Sequence, residues 1–238
     1  IFSGSEPICQ TFGTEITQYT SAAANSTGLN WSLSNAAAGT LNPTSGEMSW
    51  NAGFSGSVDI QVTATGCNGA SDMTTRTVSI TPSAGTPDAI TIFSGSEPTC
   101  QTLGTEITQY TSAATNSTGL NWSLSNAAAG TLNPTTGEMS WNAGFSGSVD
   151  IQVTATGCNG TSEMTIRTVS ITPAAGTPDA ITIFSGSEPT CQTLGTEITQ
   201  YASAATNSTG LNWSLSNASA GTLNPTTGEM SWNAGFSG

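Results

Sequence analysis

The residues in this 238-residue chain with chemistry to offer are five cysteines, six tryptophans and fifteen acidic side chains, set against no histidine at all. Only two cations are present, Arg76 and Arg167. Catalytic triads and most zinc sites depend on histidine, so that absence removes most hydrolase and metalloenzyme readings. The carboxylates stand singly and lack the alternating Asp/Asn spacing of a calcium loop. No two are placed for acid–base work. No enzymatic activity, metal or cofactor is therefore expected. Asp88 and Asp179, with Glu6 or Glu97, are the one set that an interdomain calcium site would draw on; surface solubility is the alternative reading. The two arginines are expected to pair with a carboxylate or lie over a ring.

The cysteines are the strongest chemical signal. Cys9 and Cys67 are 58 residues apart, as are Cys100 and Cys158, and Cys191 stands alone. Even usage without metal-type spacing predicts disulfides in an oxidising compartment. A bridge within each pair, closing its loop, stabilises a domain by roughly 4 kcal/mol in the chain-entropy treatment. The rival pairing joins Cys67 to Cys100, and free thiols are the third possibility. Cys191 is read as unpaired by truncation, because the chain stops short of the position matching Cys158.

These residues recur with a period of 91: Cys9, Cys100, Cys191; Trp31, Trp122, Trp213; Trp50, Trp141, Trp232. The first two copies differ at eight positions, and the third departs from the second only at Ala202 and Ser219. Loops this uniform argue for one unit repeated, mechanical or weakly binding, and against a different specificity in each copy. Within a copy Val58, Ile60, Val62 and Ala64 alternate with Asp59, Gln61, Thr63 and Thr65, the period of a half-buried strand. Leu29, Trp31 and Leu33 share a face, which predicts a core tryptophan. Trp50, Trp141 and Trp232 lie beside Asn and Gly at a strand end, and are the candidate surface-binding residues for sugar stacking. Ile16 and Tyr19 fall on opposite faces, which leaves the inward side open. Asn42-Pro43-Thr44-Ser45-Gly46 is a turn, and Val78 and Ile80 close the domain.

About seven short strands per copy predict an all-β fold, tandem immunoglobulin-like β-sandwich domains joined by short Pro-containing linkers in an extended array. The expected bounds are 1–82 for the first repeat, with its first strand partly missing, 83–89 for a linker, and 90–173 for the second repeat. A second linker spans 174–180, and a third repeat, 181–238, lacks its closing strands. Two prolines in Pro82-Ser83-Ala84-Gly85-Thr86-Pro87-Asp88 predict a stiff connector. The chain reads as a window on a longer array.

The segments Asn-Ser-Thr-Gly-Leu-Asn-Trp-Ser-Leu-Ser, Gly-Glu-Met-Ser-Trp-Asn-Ala-Gly-Phe-Ser-Gly and Val-Thr-Ala-Thr-Gly-Cys-Asn-Gly resemble immunoglobulin-like tandem repeats of giant Bacteroidota surface proteins, including gliding-motility adhesins of the SprB type. That resemblance covers nearly the whole repeat. It implies export, through a type IX secretion route, and a cell-surface, extracellular location in an adhesin or filament.

A net charge of -13 sets the chain against nucleic acid as a partner, since phosphates need Lys and Arg. No apolar run is long enough for direct membrane insertion. The expected partners are other copies of the same repeat or chain in a fibre, with surface glycans as a second class. The leading expectation is a stiff, disulfide-stabilised shaft in bacterial surface attachment or gliding. A multivalent carbohydrate-binding module is the alternative, as is a filament that polymerises by strand donation between chains.

Overall fold

The computed structural model describes residues 2–3 and 5–237. The outermost positions of the expected first and third repeats, Ile1 and Gly238, and also Gly4, lie outside the described residues. The chain forms two compact units. One comprises Ile1–Glu97, Gly104–Asn142 and Ser148–Val169; the other comprises Pro98–Leu103, Ala143–Gly147 and Ser170–Gly238.

The first repeat shows the plan. Its strands are β1 (Phe2–Ser3), β2 (Ile16–Tyr19), β3 (Gly28–Leu33), β4 (Gly39–Leu41), β5 (Glu47–Trp50), β6 (Gly56–Gly66), β7 (Gly69–Ala70) and β8 (Thr74–Ile80). One antiparallel sheet runs β1-β2-β5-β4; in the other, β6 is flanked by β3 on one side and by β7 and β8 on the other. A 3-10 turn, Ala36–Ala38, is capped by the Asn35 side chain, which accepts from the Ala37 N–H. The second repeat returns the same two sheets, from strands 91–95, 107–111, 130–132 and 138–141, and from 117–124, 147–157, 160–161 and 165–171. In the other unit, strands 182–186, 198–202, 229–232 and 221–223 form the third copy of the first sheet. The fold is all-β, a tandem of β-sandwiches.

The sandwich closes over one core. Val58, Ile60 and Val62 point inward from β6 against Val78 and Ile80 of β8, and Trp31 of β3 joins them with Tyr19, Met48 and Trp50 from the facing sheet. The period-two pattern of β6 therefore marks the buried face, as expected for two packed antiparallel sheets. On β2 the structure settles the open choice of face: Tyr19 and Thr17 go inward, and Ile16 stays 59% exposed. An aliphatic side chain is left in water because the buried position needs a hydroxyl, for the reason given below.

The turn between β4 and β5 is tight for a steric reason. Asn42 Oδ1 accepts from the Thr44 and Ser45 N–H groups at 2.9 and 3.0 Å. Gly46 then adopts φ +75, and a Cβ on it would meet Tyr19 O at 2.7 Å and Trp31 Cε2 at 2.9 Å. Glycine is required there both by its left-handed backbone and by the indole packed on it.

Candidate functional site

Three strand ends meet where the first two repeats adjoin. Ile80 closes β8, and Thr81 after it forms a parallel bridge with Cys9. The Thr81 N–H donates to Ile8 O at 2.9 Å and the Gln10 N–H donates to Thr81 O at 2.8 Å, so Cys9 is held by backbone on both sides. The third element is the hairpin Gly157-Cys158-Asn159-Gly160 of the second repeat. Gly157 pairs with Gly160 across the loop Cys158-Asn159, and Asn159 and Gly160 have φ +70 and +98. Cys158 forms a parallel bridge with Ser83 of the linker.

Cys9 and Cys158 are joined by a disulfide, with Cα atoms 5.4 Å apart and 149 residues between them in sequence. The hairpin is also docked by hydrogen bonds. Asn159 Nδ2 donates to Gln10 O at 2.7 Å and to Ser83 Oγ at 3.0 Å, and the Ser83 N–H donates to Gln10 Oε1 at 3.1 Å. Gly157 lies so close to the linker that a Cβ would meet Ala84 Cβ at 2.9 Å. The linker is stitched to the second repeat: the Gly85 N–H donates to Thr115 O at 2.9 Å, and the Asp88 N–H donates to Ala113 O at 2.7 Å.

This overturns the expected pairing of Cys9 with Cys67 and of Cys100 with Cys158. Cys67, Cys100 and Cys191 are free and exposed. The reason is the length of β6. Cys9 lies beside Thr81, next to Ile80, which pairs with Gly56 at the start of β6; Cys67 follows Gly66 at its far end. Eleven residues at about 3.3 Å each put those ends on the order of 30 Å apart. A disulfide needs Cα atoms within about 7 Å. The rival pairing of Cys67 with Cys100 is also absent, since both are free thiols. Sequence spacing carried no sign of which pole each cysteine would occupy.

Of the tryptophans named as possible surface-binding residues, two are core residues. Trp50 and Trp141 are each 2% exposed. Their indole N–H groups donate to buried hydroxyls, Trp50 to Thr17 Oγ1 at 3.1 Å and Trp141 to Thr108 Oγ1 at 3.0 Å. Trp232, half-buried, makes the same bond to Thr199 Oγ1 at 3.0 Å. A buried indole needs an acceptor, which is why Thr17 and its equivalents take the inward place on β2. The signal was the Thr-x-Tyr alternation on that strand, and the exposed Asn and Gly after Trp50 masked it.

Glu6 and Glu97, named for a calcium site, are engaged by the arginines. Arg76 Nε lies 2.6 Å from Glu6 Oε1, and Arg167 Nε lies 2.7 Å from Glu97 Oε1. The Arg76 hydrogen bond holds the Glu6 carboxyl below its usual range against the opposing effect of burial. Burial works against the Glu97 carboxylate, but donation from Arg167 and from the Tyr110 hydroxyl outweighs it and the net shift is downward. Tyr110 shifts upward, first through burial and then through the adjacent Glu97 charge. Tyr201, beside Glu188, is pushed up to about 12, burial again leading. Among the described residues no cluster of three or more metal-type ligands occurs, and no helix is long and apolar enough to cross a membrane. A groove of about 510 Å³ lies along Ile183, Tyr201, Trp213, Leu215 and Leu223 of the third repeat.

No protein family profile matches the sequence, and no curated protein does. Among solved structures, protocadherin gamma B2 extracellular cadherin domains 3–6 are 13% identical with a TM-score of 0.49, over 98% of this chain and 65% of that one. Human CDH23 EC21-23 is 13% identical with a TM-score of 0.48, over 97% and 90%. The C-terminal fragment of intimin, in complex with the intimin-binding domain of its translocated receptor, is 14% identical with a TM-score of 0.37, over 77% and 66%. The chain spans 65% of the length of the first two protocadherin fragments it resembles.

Proposed function

We propose that this chain is a structural segment of a large extracellular adhesin or cell-surface filament, a shaft whose successive sandwiches are fastened to one another covalently. The observation that carries this reading is the Cys9–Cys158 bond, which spans a repeat boundary. A bridge inside one sandwich would stabilise that sandwich alone. A bridge from the end of one to the hairpin of the next also fixes their junction, which is what a stiff shaft needs and a freely jointed binding array does not. The bond implies an oxidising compartment, in keeping with the resemblance of the repeat to those of gliding-type surface adhesins. The domain bounds proposed are those of the repeat, with linkers at 83–89 and 174–180, and the partners are further copies of the same unit.

A multivalent glycan binder is the competing role; of the residues named for it, Trp50 and Trp141 are buried and Trp232 is half-buried. The test is a glycan array probed with the intact, oxidised chain. Background-level signal across the array is expected, and saturable binding of any glycan class overturns the shaft in favour of the binder.

A further inference from the structure

Cys100 is free, yet it sits in the backbone setting in which Cys9 is bonded. Cys100 bridges Thr172 in the parallel sense, as Cys9 bridges Thr81. The Gln101 N–H donates to Thr172 O at 2.7 Å and the Thr172 N–H donates to Thr99 O at 3.0 Å, matching 2.8 and 2.9 Å around Cys9. Gln101 Oε1 accepts from the Ala174 N–H at 3.1 Å, as Gln10 Oε1 accepts from Ser83.

The linker that follows is fixed in the same way. The Gly176 N–H donates to Thr206 O at 2.8 Å and the Asp179 N–H donates to Ala204 O at 2.7 Å, the counterparts of Gly85 with Thr115 and Asp88 with Ala113. In the second repeat the loop holding the linker leads directly to Ser117, which pairs with Gly157, the residue before Cys158. Asn116 and Asn207, just before Ser117 and Ser208, share the same left-handed turn, φ 54 and 55. A Gly-Cys-Asn-Gly hairpin paired at Ser208 therefore arrives against Ala174, Gln101 and Cys100, as Gly157–Gly160 arrives against Ser83, Gln10 and Cys9. Ala174 lacks the hydroxyl of Ser83, so one bond to the asparagine is lost; the Gln101 carbonyl and the thiol remain.

We infer that the bonding rule of this repeat runs between neighbours: the first cysteine of each copy bonds the hairpin cysteine of the copy that follows. By this rule Cys100 is the docking and bonding site for a Cys-Asn-Gly hairpin added to the third repeat, and Cys67 occupies the hairpin position of the first. The bond forms by exchange with a low-molecular-weight disulfide such as oxidised glutathione. Two thiols lose two protons and two electrons to become one disulfide, and the oxidant leaves as two thiols. This inference rests, as the proposed function does, on the Cys9–Cys158 bond; a capped Cys100 beside that bond intact overturns the inference alone, whereas loss of the bond itself removes both.

The test lengthens the chain after Gly238 by a copy of residues 148–173, which adds one cysteine to the five present. The protein is oxidised with glutathione disulfide, its remaining thiols are capped, and its disulfide-linked peptides are mapped after digestion with a glutamate-specific protease and chymotrypsin. The expected map has Cys9 linked to Cys158 and Cys100 linked to the added cysteine, with Cys67 and Cys191 capped. Linkage of the added cysteine to Cys191, or a capped Cys100 beside an intact Cys9–Cys158 bond, overturns the rule. The 238-residue chain gives an independent check that needs no added strand. There Cys9–Cys158 is expected with three capped cysteines, and a Cys9–Cys67 peptide overturns the inference outright.

Discussion

Trp50 carries its indole N–H into the core, and Thr17 answers it with a hydroxyl that in turn donates to Ser5 O at 3.0 Å. The pair has two separable contributions. Removing the ring leaves a large cavity between the sheets, so Trp50→Ala should cost about 3–5 kcal/mol. Trp50→Phe loses the N–H bond and the packing of the second ring but fills more of the space than alanine, so it should cost less, about 2 kcal/mol. Urea unfolding at pH 7 checks both. A shift below about 0.5 kcal/mol for the alanine variant would return Trp50 to the surface, where substitutions away from special features have effects of that size. Gly46 makes a complementary demand. An alanine there must hold a left-handed backbone and press on Trp31 and Tyr19, so Gly46→Ala should destabilise by about 2 kcal/mol. The same denaturation curves read it, and a neutral result would show that the turn relaxes to accept the methyl group.

Along the elements, the two arginines do similar work in successive repeats, tying the chain ahead of each first cysteine to strand β8 and its counterpart 165–171. Both carboxyls lie below the usual value of 4.5 when folded. A depressed folded value means that the contribution is complete above the unfolded value and is lost as pH falls through the folded one. Stability should therefore be flat from pH 7 to about 5 and decline below about 4.5. Glu97→Gln should flatten that decline and cost about 1 kcal/mol or less at pH 7, since the Arg167 side chain is 35% exposed and solvent screens the pair. An unchanged acid limb in Glu97→Gln would remove this pair from the account. How much could be read from sequence follows the same division between local and long-range. The alternation of Val58, Ile60 and Val62, the inward Val78 and Ile80, and the Asn42–Gly46 turn are local signals, and each is present where the pattern put it. The cysteine pairing depends on which end of an eleven-residue strand each thiol occupies and on how the next repeat is docked. Period and spacing are blind to both. Ile16 and Tyr19 were undecided for a related reason: the choice of face was made by an indole on another strand.

For the whole molecule, the Cys9–Cys158 bond decides how tension passes through the first two repeats. Force entering ahead of Cys9 crosses the disulfide to Cys158 and bypasses the polypeptide between them, so the core strands of the first repeat carry no load while the bond is intact. The bond also confines the unfolded chain, which the loop-entropy treatment puts at about 5 kcal/mol for a closure of 149 residues. Pulling the chain by its ends with magnetic or optical tweezers reads the connectivity as a length. At about 3.4 Å per residue, the fully unfolded oxidised chain should be short of the reduced chain by about 500 Å, the contour hidden behind 149 residues. Two bonds within repeats, each closing 58 residues, would hide only about 390 Å. They would also leave the linker between repeats free to extend at low force. The two arrangements thus differ in final length by about 100 Å, well above the step resolution of either instrument. A deficit near the smaller value, or none, would mean that the repeats are not fastened across their junction, and the proposed shaft would lose the feature that distinguishes it from a string of independent sandwiches.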